Sequence, residues 1–572
     1  MIVGATATTP ARGPTPGQDG SQLEHRFGDP FDDANPVGFR SLLEADEQHS
    51  SLPAAEDVLD AWGCNEEFVP SGLGGRWRQT DTLVRRLRPV FRRDAALGLG
   101  YGVTTLMAAV NVWTAGSSDQ QHRMARELAQ GHKVAVAFHE LDHGNDFLRN
   151  TTMARRTDRW RLDGGKQVIN NIDRARSLLV FARTGTGNAS RDHSLFWVHK
   201  DEAATAGLRM LPRYETAGMR GCLLGGAEFS DWAVPDNSLV GAEGSGAHTA
   251  LRAFQVTRAA LPGLALGQLD TALHVVTRFA GTRRLYGHTV GDLPHARTTI
   301  AAAFADLLAM DCLWTAAARL LHLAPGRAGV ASAAVKYLVP RVLQDALYDL
   351  SQILGARFYL REGAYAVFGK ICRDIPLVAL GHAGGAACLL SIIPHLPVLA
   401  RRGWQPIEAP AALFDSRHTL PDLKFEALAI PAGTADPLAA ALAVALEQPR
   451  QGRARKELLD AFAHSFAALR EQCTALPPVE RGPLAGAETF RLAERYAVLL
   501  AVSTCLGVAR GVTAGALQDP EVVHAVLLRL AARLGHGTGV LPAKTAERVY
   551  SHVTQRAEEG LSMCLDAEPI FR

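Results

Sequence analysis

Helix-period patterning fills this chain except between Val134 and about Gly246, where it gives way to short runs of Val, Phe and Trp punctuated by Gly and Asn. Before that stretch, Val84, Leu87, Val90 and Phe91 recur at helical spacing, Ala95 to Trp113 reads as a buried helix, and Asp119 to Leu128 as an amphipathic one. Inside it, Trp160 to Ile169 reads as two short strands around an Asp163-Gly164 turn, a hairpin signal. Leu178–Ala182 and Leu195–His199 are further strands. After it, Ala301–Leu323 and Ala331–Ile353 are long and rich in Ala and Leu, as bundle packing favours. Trp404 to Pro437 is loop-like; beyond it Leu458, Leu459, Phe462, Phe466 and Leu469 form one apolar stripe and Val522–Leu534 another. The expected fold is mainly α with a small central β-domain. It comprises a helical domain (51–133), a β-domain (134–246), a helical bundle (247–403) and an additional helical extension (404–572). Residues 1–50, rich in Gly, Pro, Thr, Asp and Gln, are expected to be a disordered leader.

At 572 residues the chain exceeds what one hydrophobic core organises. Lys and Arg number 60 against 58 Asp and Glu, so no global field exists to hold nucleic acid or an anionic membrane. The eight cysteines form no CxxC pair, which argues against a zinc site, a dithiol motif or a disulfide framework. The histidines, His143 and His288 among them, show no HExxH spacing, and no metal is expected. No basic-then-apolar secretory signal is visible. The apolar run Tyr496–Ala509, interrupted by Ser503 and Thr504, is read as too short to cross a bilayer. A cytoplasmic protein without a transmembrane segment is the expectation.

Specific blocks carry more. Ala137-Phe138-His139-Glu140-Leu141-Asp142-His143-Gly144-Asn145-Asp146 precedes Thr151-Thr152-Met153-Ala154. Gly165 to Asn171, Val180 to Thr184 and Phe229 to Pro235 follow. Then come Arg258 with Gly267, Arg283-Arg284-Leu285-Tyr286-Gly287, Lys336, Ser351 to Ala356 and Arg373-Asp374. In this order and spacing, over residues 55 to 400, the sequence resembles the acyl-CoA dehydrogenase superfamily. The resemblance implies an N-terminal helical domain, a β-barrel-like domain and a C-terminal four-helix bundle, here with a C-terminal extension. It also implies FAD as cofactor and an acyl thioester, on CoA or an acyl-carrier protein, as substrate. An electron-transfer partner or oxygen would take the electrons, and the chain would form a homodimer or homotetramer.

By the same resemblance His139 and Asn170 would face the flavin ring, and Asn145 would help bind the cofactor. Arg283, Gln352 and Gly355 would serve the pyrophosphate of a cofactor bound mainly by a neighbouring subunit, where a guanidinium can pair two phosphate oxygens at once. Gln255 and Arg258 would meet the thioester. The sequence also departs from the family. Leu285 replaces a glutamine, Ala356 replaces a glycine, and the usual catalytic glutamate after Arg373-Asp374 is His382. The second position at which relatives place that glutamate is Thr257. Glu362 is an alternative carboxylate, and the favoured reading places it in the structural segment before Arg373-Asp374. Three readings stay open. Neutral His382 could remove the α-proton, since its ordinary pKa allows this near neutrality. It could instead support oxygen activation in a flavin monooxygenase. Or the chain could be an inactive acyl-thioester-binding or scaffold paralogue. The first leads, because the acyl-thioester motifs run through the whole bundle.

Overall fold

The computed structural model describes residues 18–571 apart from 145, 188–189, 382–383, 432, 448–452 and 512–514. Ahead of the sheet lie α1 (Gln18–Phe27), α2 (Phe39–Glu47), α3 (Pro53–Trp62), α4 (Thr80–Arg93), α5 (Ala95–Gly98), α6 (Thr104–Ala115) and α7 (Ser118–Ala129). The leader is therefore not disordered from Gln18 onward, contrary to the compositional expectation. Leu23, Phe27, Val37, Phe39 and Leu42 are buried. Arg92 and Arg93 of α4 bind Glu24 and the carbonyls of Gly28 and Val37. A few apolar anchors and two buried guanidiniums suffice to order a segment whose average composition is polar.

The sheet runs β6-β7-β3-β2-β4-β5-β8, with β1 added in parallel beside β4. Its strands are β1 (Val134–Ala137), β2 (Met153–Arg156), β3 (Trp160–Asn170), β4 (Ser177–Arg183), β5 (His193–His199), β6 (Leu208–Leu211), β7 (Leu224–Val234) and β8 (Leu239–Val240). The expected hairpin at Asp163-Gly164 is instead a bulge within the single strand β3. Its register against β7 shifts between Leu162 and Gly164. Gly164 adopts φ +125°, and an added Cβ would lie 2.8 Å from the Thr152 Cα. Asp-Gly thus serves a strand kink as readily as a turn. Trp160, Leu162, Phe196, Phe229 and Trp232 form the sheet's own core.

The bundle consists of α8 (Gly246–Thr282), α9 (Pro294–Leu323) and α10 (Gly329–Leu354), closed by α11 (Ala366–Asp374), α12 (Pro376–Leu380), α13 (Gly385–Ile392) and α14 (Leu396–Val398). Gly267 lets α8 approach α4 closely, since a Cβ there would stand 2.9 Å from the Arg92 nitrogen and 3.0 Å from the Arg88 carbonyl. The extension contributes α15 (Pro437–Glu447), α16 (Arg453–Ala475), α17 (Ala487–Gly511), α18 (Pro520–Arg533) and α19 (Ala543–Glu559). The apolar run at Tyr496 lies in α17, which with 25 residues is long enough to cross a bilayer, as are Ala95–Ala115 and Pro294–Leu323. The length argument made from sequence is thereby corrected. What distinguishes α17, Ala95–Ala115 and α9 is that 78%, 89% and 100% of their most apolar windows are buried inside the protein.

Candidate active site

A cleft of about 340 Å³ opens where the N-terminal helices, the sheet and the bundle meet. Phe91, Leu99, Thr104 and Met107 line it from α4 to α6. His139, Glu140, Gln167, Val168 and Asn170 line it from the sheet, and Leu261, Leu377, Val378, Leu380 and Gly381 from the bundle. Its walls are mostly apolar, so a group bound there is drawn out of water.

The sheet wall is built by one buried network. Glu140, 6% exposed, accepts from the amides and hydroxyls of Thr151 and Thr152 at 2.7–3.0 Å and from Lys166 Nζ at 2.9 Å. Burial alone would raise its pKa, but Lys166 and the four Thr donors hold it down at about 2. Lys166, fully buried, also donates to Phe138 O and Asn150 Oδ1. Burial outweighs its attraction to Glu140 and pushes it down to about 8. With five donors on it, Glu140 is a structural anion rather than a base, although it is the one carboxylate among the described lining residues.

This network fixes the backbone of His139, whose carbonyl accepts from Gln167 N at 3.1 Å. His139 Nδ1 lies 3.3 Å from Gly144 O, and burial lowers the ring's pKa, so the imidazole is neutral at neutral pH. Asn170 donates through Nδ2 to Leu99 O and Thr104 Oγ1, which orients its amide. Among the described residues its buried Oδ1 then has no hydrogen-bond partner. An acceptor held this way beside an apolar cleft calls for a ligand N–H or O–H. Between the two, Val168 takes φ +58°, a left-handed conformation that a β-branched residue rarely adopts, at the register shift between Lys166 and Ile169.

The other expected residues divide. His382 and Asn145 lie outside the described residues. Arg283, Gln352 and Gly355 are exposed at the common C-terminal end of α8 and α10, away from the cleft lining. Gln255 does not reach the cleft lining: Nε2 donates to Ala429 O at 2.8 Å, beneath a strap from the extension. The strap's Phe425, Glu426 and Leu428 carbonyls are taken by Arg252, one turn before Gln255. Arg258 is buried behind the bundle wall and donates to Ser391 Oγ at 3.2 Å. Thr257 is buried, and Glu362 is exposed. Sequence reading missed Phe91, Leu99, Thr104 and Met107 as cleft residues. Helical periodicity marks them as apolar or small, not as facing a ligand.

Family models match two regions, the acyl-CoA dehydrogenase middle domain over residues 135–232 and the acyl-CoA dehydrogenase C-terminal domain over 244–393. Cyclohex-1-ene-1-carbonyl-CoA dehydrogenase of Geobacter metallireducens is 26% identical over 59% of this chain and 88% of its own length. Among solved structures, an acyl-CoA dehydrogenase from Bacillus anthracis complexed with FAD superposes with a TM-score of 0.66 at 16% identity, covering 96% of this chain and 89% of that one. The prolyl acyl carrier protein oxidase AnaB gives 0.57 at 18% identity, with 66% and 97% covered.

Proposed function

The chain belongs to the acyl-CoA dehydrogenase superfamily, and on that footing we propose that it is an FAD-dependent oxidoreductase that introduces a Cα–Cβ double bond into an acyl thioester. The observation that carries this reading is the unpartnered Asn170 Oδ1 at the wall of an apolar cleft shared by all three domains. A flavin ring is flat, largely apolar and edged with an N–H, and the cleft's residues fit it. Asn170 would accept from that edge, while Val168 and His139 would lie against the ring. When bound, the flavin supplies a two-electron acceptor.

The chain's own residues do the rest. Phe91, Leu99, Met107 and Leu261 exclude water from the acyl chain. Glu140 and Lys166 keep the wall rigid without exchanging protons with substrate. His382, which follows the cleft residue Gly381, is assigned as the base that takes the α-proton on a ring nitrogen. The exposed Arg283, Gln352 and Gly355, beside Tyr286 (89% exposed), Tyr348 (69%) and Tyr359 (83%), suit contact with a second subunit and its cofactor phosphates. The substrate carrier is CoA or an acyl-carrier protein, and the electrons leave to a partner protein or oxygen. In FAD-loaded protein, His382→Ala should abolish turnover of acyl thioesters while flavin stays bound. Unchanged turnover would remove His382 from the mechanism.

A further inference from the structure

Lys336 projects from the middle of α10 and is 1% exposed. Its Nζ donates to the carbonyls of Val378 at 2.5 Å and Gly381 at 2.9 Å, and among the described residues no carboxylate pairs with it. Burial pushes the ammonium down to about 8; the Cys388 thiol opposes that shift and the Arg258 guanidinium adds to it. An ammonium without a counter-ion is a costly way to fill a bundle, and an apolar side chain would pack there more favourably. What the ammonium adds is a grip on the C-terminal carbonyls of α12, where a cation is favoured and where Val378 and Gly381 form the cleft's bundle wall. Arg258, from α8, holds the far side of the same stretch through Ser391 of α13. Two buried cations on two bundle helices therefore hold described residues of this wall, Lys336 at Val378 and Gly381 and Arg258 at Ser391.

We infer that Lys336 is the positioning residue of this wall, setting through the Val378 and Gly381 carbonyls the backbone that leads into residue 382. As a statement about turnover, this rests on the acyl-thioester reading of the cleft; as a statement about backbone order, it does not. The test is Lys336→Met in FAD-loaded, full-length protein. Flavin content should stay near wild type, and the melting temperature should fall by only on the order of a few degrees, because two carbonyls lose a donor but no ion pair is broken. Amide hydrogen exchange over 377–381 should quicken by about tenfold. With an acyl-CoA substrate, kcat should fall on the order of 10- to 100-fold while KM moves by less than about threefold, the signature of a misplaced group rather than lost binding. Unchanged exchange, or an unchanged kcat in a protein that turns over, overturns the inference. If wild type shows no turnover, the exchange comparison alone decides. Should the Met variant fail to fold, Lys336→Gln, which keeps a neutral N–H donor group, is read for the same quantities and should give intermediate values.

Discussion

At the cleft wall, three polar residues have three different fates. Glu140 is saturated by donors, His139 is held neutral by burial, and Asn170 keeps one acceptor free. Asn170→Ala should weaken FAD binding by roughly tenfold, the worth of one hydrogen bond to a desolvated ligand, as read by flavin fluorescence on dilution. Unchanged affinity would mean the free oxygen does not meet the cofactor. Glu140 makes a prediction in pH. Its pKa is depressed from 4.5 to about 2, so its stabilising contribution is present above about pH 4.5 and is lost as pH falls toward 2. Glu140→Gln should therefore lower the melting temperature clearly at about pH 6, with the gap to wild type narrowing by about pH 3. A gap independent of pH would show that the charge is not what the network uses.

At the scale of elements, the helix–sheet–helix order was legible because periodicity changes from 3.6 to 2 and back, and burial follows that change. What sequence could not show were uses of residues that depend on distant partners. Asp163-Gly164 reads locally as a turn, but pairing with β7 carries β3 on through it as one strand, kinked at a bulge. Gln255 sits at the expected motif position, yet its amide is claimed by a strap about 170 residues downstream, which no local pattern announces. Gly267 was visible as a motif glycine, but its reason, the main chain of α4, is a tertiary fact. Gly267→Ala should force α4 and α8 apart and cost about 1–3 kcal/mol by denaturant unfolding. A neutral effect would show that the helices can slide without loss. Likewise Arg252→Ala, which frees three strap carbonyls, should speed limited proteolysis within residues 411–431 while leaving flavin content unchanged. Equal proteolysis rates would mean the strap is held by packing alone.

Across the whole molecule, the C-terminal segment after α19 returns to the bundle, so the extension is tied to α8 and α9 rather than merely appended. Asp270, fully buried on α8, takes Arg92 at 3.3 Å, Ser562 Oγ at 2.6 Å and the Met563 amide at 2.8 Å. Asp311 on α9 takes Arg88 at 2.9 Å and the Leu565 amide at 2.9 Å. Asp270→Ala leaves Arg92 with Glu24 alone and deprives the Ser562 hydroxyl and the Met563 amide of their acceptor, and it should cost about 3 kcal/mol, as removing one partner of a buried network does. A loss under about 1 kcal/mol would show the tail to be dispensable. With the scaffold closed in this way, the cleft is left as the place for chemistry, and one titration tests that most directly. Purified protein loaded with FAD is mixed, without oxygen, with acyl thioesters of graded chain length on CoA and on acyl-carrier protein. The account predicts that at least one of them bleaches the flavin's visible absorbance at close to one equivalent per site. Flavin that stays fully coloured with every thioester, or protein that retains no flavin, would contradict it.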